Sequence, residues 1–146
     1  EEDFADDDTA EELDLPALRE NFLASRWADE VPWAIEYPLE TPVEGVTVRG
    51  RVDAIFRTTD TDGTEKWELV DWKTGRVPSK KELKSRALQL GLYRIGFARL
   101  HKIEPANISA SFFYAAEGNE VRIEELATEE EIAGVLKKAR RQAAQL

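Results

Sequence analysis

Cysteine is absent from the 146 residues, which excludes disulfides, thiolate zinc sites and cysteine-held iron–sulfur clusters. Methionine is absent as well, initiator included, so the chain is expected to be a piece of a longer protein. No apolar run approaches the roughly 18 residues that a membrane span requires, and no basic-then-apolar leader opens the sequence. Neither export nor a membrane partner is expected. A chain of this length buries roughly 68–70% of its unfolded surface. It therefore suits one continuous core without staples.

Charge is abundant but unevenly placed. The net charge is −10, yet residues 1–12 carry eight acids and no base, leaving only −2 for the rest. That acidic head has little to bury and reads as a linker, with one domain expected over 13–146. Between Lys73 and Lys102 nine Lys or Arg stand against the single acid Glu82, a local +8. Such a stripe is either a solvated helix face or a track for a phosphate backbone, with Arg76, Lys80, Lys81 and Lys84 as its nearest contacts.

Periodicity gives the order of elements. Asp14 caps an expected helix with Leu15, Leu18, Phe22 and Leu23 as its apolar stripe, ending near Trp27. Pro32 to Glu40 alternates as a strand, with Trp33, Ile35, Tyr37 and Leu39 on one side, and Pro38 favours an edge. Glu44-Gly45 marks a turn. Val46 to Phe56 forms a long strand with Val46, Val48, Val52, Ala54 and Phe56 on one face and Asp53 with Ile55 on the other. Gly50 signals a bulge or a close backbone approach. Asp62-Gly63 marks a hairpin rather than a calcium loop, because the full ligand run is missing. Lys66 to Trp72 returns as a strand.

Ser79 and Glu82 have capping-box spacing at the start of a long helix to about His101. Its apolar middle must be covered on more than one side, and Gly91 and Gly96 fit close approach to a sheet. Strands are expected over Asn107–Ala116 and Val121–Ile123, and a last helix capped by Thr128 and Glu131. The fold class is α+β, in the order α-β-β-β-α-β-β-α.

The chemistry centres on Leu69-Val70-Asp71-Trp72-Lys73-Thr74-Gly75. Alternation puts Asp71 and Lys73 on one face of a strand end, opposite Val70 and Trp72. Alone, this is an ion pair. With Asp53 on the preceding strand it becomes half of a metal-dependent hydrolytic site, since Mg2+ takes few carboxylates plus waters and phosphate oxygens. Two carboxylates about 4 Å apart would otherwise repel by roughly 4 kcal/mol at an effective dielectric of 20. Lys73 could then orient or deprotonate water and stabilise developing charge. Gln89 and Tyr93 share a helix face at i and i+4, with Arg86 three residues before, and could position Lys73, water or phosphate.

Gly50-Arg51-Val52-Asp53-Ala54-Ile55, Val70-Asp71-Trp72-Lys73-Thr74-Gly75 and Gln89-Leu90-Gly91-Leu92-Tyr93 together resemble the signatures of RecB-type nucleases of the PD-(D/E)XK superfamily. These domains commonly lie at the C-terminus of bacterial superfamily I helicases of the UvrD/Rep kind. The resemblance covers roughly residues 33–114. It implies a restriction-endonuclease-like core, a central mixed sheet flanked by helices. It implies Mg2+ or Mn2+ held by Asp53, Asp71 and the Trp72 carbonyl, with catalysis by Lys73. Gln89 and Tyr93 match the group's Gln-x-x-x-Tyr motif.

The implied setting is the bacterial cytoplasm, where an upstream helicase domain of the same chain feeds single-stranded DNA to the site. A second helicase–nuclease subunit is the further partner. The alternative is a catalytically silent module that keeps the fold and binds DNA or another domain. Val52 stands where the superfamily has proline. The family's upstream histidine ligand has no counterpart, His101 being the only histidine. Either that ligand precedes this chain, or another residue replaces it, with Glu36 the first suspect.

Overall fold

The computed structural model describes residues 15–75, 77–123 and 126–145. The acidic head, the expected cap Asp14 and Arg76 of the basic stripe lie outside the described residues. The elements run α1 (Leu15–Leu23), β1 (Ala34–Val43), β2 (Val46–Thr59), β3 (Glu65–Lys73), α2 (Lys80–His101), β4 (Ile108–Tyr114), β5 (Asn119–Arg122) and α3 (Glu129–Ala144), with a 3-10 turn at Pro105–Asn107. One mixed sheet has the strand order β1-β2-β3-β4-β5. Only β3 and β4 are parallel. A parallel step needs a crossover, and α2 supplies it. This is the restriction-endonuclease-like α+β arrangement.

Local chemistry sets the boundaries. Glu44 (φ 52°) and Gly45 (φ 78°) are both left-handed, as a two-residue turn between the paired Val43 and Val46 requires. Ser79 accepts from the Glu82 amide to open α2. At α3 the Thr128–Glu131 capping box is complete in both directions. β1 lies at the sheet edge, where Pro38 removes no ladder bond from a central strand. It runs past the expected end at Glu40 because Thr41 and Val43 are buried.

α2 and α3 cover one face of the sheet. Leu39, Val43, Val48, Ile95, Ile132 and Leu136 form one cluster there, and Ile55, Leu69, Phe97, Ala110 and Phe112 belong to another. Gly96 lets α2 lie flat on β1, since a Cβ there would stand 3.1 Å from Thr41 Cγ2. Gly91 faces Ala127 rather than the sheet, with ordinary 3.6 Å clearance. The expected reason holds for one glycine and not the other.

The opposite face is covered from the α1 side. α1 ends at Leu23, short of Trp27, and the chain turns so that Ser25 and Ala28 bond back to the Phe22 and Ser25 carbonyls. Trp27 is thereby delivered, 2% exposed, against Ala54, Phe56, Val70 and Phe113. An aromatic residue buries about 150–250 Å², worth roughly 4–6 kcal/mol of transfer free energy at about 25 cal/mol per Å². Leu15 and Leu23, expected in the apolar stripe, stay 66% and 58% exposed, because Trp27 takes the place a longer helix would have filled. Arg26 pins this turn by pairing with Glu68 and Glu120.

Strict alternation fails at one rung. Val52 packs with Ile55, whereas Ala54 and Phe56 lie in the cluster on the other face. In β1, Ile35 is 65% exposed while Tyr37 packs inward. Both strands change phase between the pairs Ile35–Ala54 and Tyr37–Val52. The rung between them holds Glu36, left-handed at φ 45°, and Asp53. The expected single face of Val52, Ala54 and Phe56 is therefore wrong, and the irregularity falls on a candidate site residue.

Candidate active site

The β2–β3 ladder stops at the pair Ala54–Val70. β3 continues alongside β4 for three further residues, to the pair Lys73–Tyr114. Beyond Val70 the two antiparallel strands separate, and the opening holds Asp53 from β2 and Asp71 from β3. Asp53 Oδ2 accepts the backbone N–H of Trp72 at 2.8 Å, taking up an amide that the parted ladder does not pair with β2. Lys73 Nζ lies 3.0 Å from Asp71 Oδ2, both side chains about one-fifth exposed.

A cleft of about 880 Å³ opens over these groups. Asp53, Asp71, Lys73, Arg86, Gln89 and Tyr93 all line it, with Trp72 between the acid and the lysine. Gln89 Nε2 donates to Tyr93 Oη at 3.2 Å. The Tyr93 ring packs over Gly50, where an added Cβ would lie 2.3 Å from the phenol oxygen. The glycine of the first motif thus exists for the tyrosine of the third. Trp72 turns its side chain to the other face, where Phe22, Trp27 and Phe113 meet it edge-on at 5.3–6.0 Å. That aromatic contact fixes the peptide whose amide Asp53 holds.

The profile of the PD-(D/E)XK nuclease superfamily matches residues 4–146. The chain belongs to the PD-(D/E)XK nuclease superfamily. No curated protein matches this superfamily member. Among solved structures it is similar to the crystal structure of SSO0001, with a TM-score of 0.49 and 22% identity over 92% of this chain. It spans 60% of that chain's length.

PD-(D/E)XK nucleases typically use divalent metals, and the donor set here can be tested for fit. Among the described residues no three His, Cys, Asp or Glu side chains gather as a cation site. Two do. Burial pushes the Asp53 carboxyl up to about 7, helped by a hydrogen bond and charge repulsion from Asp71, against the opposing Trp72 amide and Lys73 charge. Two carboxylates in a polar cleft fit a hard cation that keeps waters and takes phosphate oxygens.

The remaining expectations divide. His101 does not line the cleft; it meets Tyr37 Oη at 2.7 Å and packs on Phe97. Glu36, the suspected substitute ligand, is not among the cleft-lining residues and lies 3.7 Å from Arg51. The basic stripe is not one surface. Arg94 is spent on the Ile108, Ala127 and Pro105 carbonyls, and Arg99 pairs with Glu44 and Glu129. Lys81 and Lys84 line a separate groove beside Leu88 and Val135. Of the described stripe only Lys73 and Arg86 reach the cleft. Sequence reasoning missed Arg49, Arg51 and Phe112, which also line it. Arg51 stood inside a quoted motif, but its role depends on where the strands part.

Two consequences can be measured. In the metal-free protein, the folded state holds a proton on Asp53 up to about pH 7, whereas the unfolded chain releases it near pH 3.9. The folded state binds more protons in that window, so stability falls as pH rises from about 4 to about 7. Discounted for solvent screening, the loss is about 1–2 kcal/mol. Thermal melts in chelator should show it, and Asp53→Asn should remove it. The same pH dependence in wild type and Asp53→Asn would refute the raised Asp53 carboxyl.

Gly50→Ala tests the first and third motifs as one unit. The new methyl must displace the Tyr93 ring, which is a movable side chain, so the Tm should change little. A displacement near 1 Å at a positioning group can lower the rate about 100-fold. A cleavage assay beside a melt checks this; a large loss of stability with full residual activity would show the contact to be structural only.

Proposed function

We propose that this chain is a RecB-type nuclease domain, residues 13–146 behind an acidic linker, that hydrolyses phosphodiester bonds in DNA with Mg2+ or Mn2+. The observation that carries this reading is convergence: side chains from three separated motifs line one polar cleft where two strands part. The helicase setting rests on the likeness of those motifs to RecB-type nucleases. In that setting an upstream ATP-dependent helicase domain of the UvrD/Rep kind feeds a single strand to an exonuclease in repair and recombination, in the bacterial cytoplasm. A second helicase–nuclease subunit completes the assembly.

Asp53, Asp71 and the Trp72 carbonyl would hold the cation, which when bound supplies an acidified water and a polarised phosphoryl oxygen. The protein's own groups do the rest. Lys73, held by Asp71, presents a charge beside the reacting phosphate and N–H donors that can orient the attacking water. Arg86 can donate two parallel hydrogen bonds to phosphate oxygens. Gln89 and Tyr93 set the position of what lies over Gly50.

The experiment is cleavage of end-labelled single-stranded DNA. Mn2+ or Mg2+ should support it, chelator should stop it, and excess metal should restore it. Failure to cleave at saturating Mn2+ would overturn the reading.

A further inference from the structure

We propose that Arg51 is a phosphate clamp for the DNA strand and that Glu36 occupies it until DNA arrives. This deepens the nuclease reading and rests on it. Arg51 lines the cleft from β2, two residues before Asp53. Arg86 and Gln89 line it from α2. A strand lying over Asp53 and Asp71 would therefore meet a guanidinium from each element.

Arg51 is the more available of the two β2 arginines that line the cleft. Arg49 meets Glu40 at two points, 3.1 and 3.3 Å. Arg51 meets Glu36 only at 3.7 Å, with the two side chains 66% and 73% exposed. So loose and exposed a pair contributes little and opens readily. A phosphate offers the same guanidinium two parallel charge-assisted bonds.

Glu36 itself is held in the left-handed region, φ 45°, in the gap between the pairs Ile35–Ala54 and Tyr37–Val52 where Asp53 lies on β2. A non-glycine residue there is strained, and such residues concentrate where position matters more than stability. The strain puts a carboxylate beside the guanidinium rather than over the aspartates. Glu36 then acts by charge competition with the DNA, not as a cation ligand.

The test measures binding of a labelled single-stranded oligothymidylate in chelator, which stops cleavage, across a range of salt. Arg51→Ala should weaken binding about fivefold to tenfold and reduce the salt slope by about 0.7, the contribution of one phosphate contact on a single strand. Arg57→Ala, on the same strand but outside the cleft, removes the same charge and should leave the slope unchanged. Glu36→Gln should tighten binding about twofold to fivefold, and calorimetry with Mn2+ alone should show unchanged metal affinity. Equal slopes for Arg51→Ala and Arg57→Ala would overturn the clamp. A loss of Mn2+ affinity in Glu36→Gln as large as in Asp71→Asn would overturn the competition and make Glu36 a ligand. A wild-type chain that binds DNA through Arg51 but never cleaves it would leave the clamp standing and the nuclease reading fallen.

Discussion

Asp71→Asn should abolish metal-dependent cleavage, a loss of about 10³-fold or more, while the protein folds and melts as wild type does. The magnitude is at the upper end for removing one charge-stabilising group from an active site, because the cation's hold goes with it. Asp71 holds Lys73 at 3.0 Å, but no core cluster contains it. Asp53→Asn should cost activity equally. Its amide oxygen can still accept the Trp72 N–H, so the turn behind it survives. Cleavage and thermal melting measured on the same preparations separate site from fold. Activity retained by either variant would end the assignment of these aspartates to the metal.

Lys73→Met should separate catalysis from metal binding. The methionine keeps the length and packing of the lysine stem while removing its charge. Loss of a group that moves a proton or stabilises charge lowers rates by roughly 10²–10⁴-fold. Metal affinity should hold or rise slightly, because the substitution removes a positive neighbour from the aspartate pair. Calorimetric titration with Mn2+ beside single-turnover cleavage gives both quantities. A fall in metal affinity matching that of Asp71→Asn would mean Lys73 organises the carboxylates instead of acting on the substrate.

The fold was largely legible because its signals are local. Glu44-Gly45, Ser79 with Glu82, Thr128 with Glu131 and the proline at the edge each act within a few residues, and each does in space what its chemistry requires. The failures arise where a regular element is cut short or interrupted. Leu15 and Leu23 remain exposed because Trp27 arrives by a turn, and Ile35 faces out because Glu36 interrupts β1. Period-two reasoning assumes uninterrupted strands, and here the interruption sits beside Asp53. For the candidate site, sequence named the side chains that line the cleft but not its second wall. Arg49 and Arg51 read as ordinary strand cations until the parting of β2 from β3 gives them something to face. The basic stripe misled in the opposite sense: adjacency in sequence suggested one surface, whereas Arg94 and Arg99 serve as internal braces.

The parting of β2 and β3 has a bearing on how this scaffold tolerates change. The two aspartates stand just past the last rung that β2 and β3 share, and Asp71 stays in the sheet through its backbone pairing with Phe112 on β4 rather than through its side chain. Substitutions of either side chain leave those backbone pairings in place. A lineage could exchange one carboxylate for another residue, lose the reaction entirely, and pass on a protein of undiminished stability. The melting temperature alone would not distinguish the working descendant from the retired one; the exchanged aspartate would be the whole difference between them.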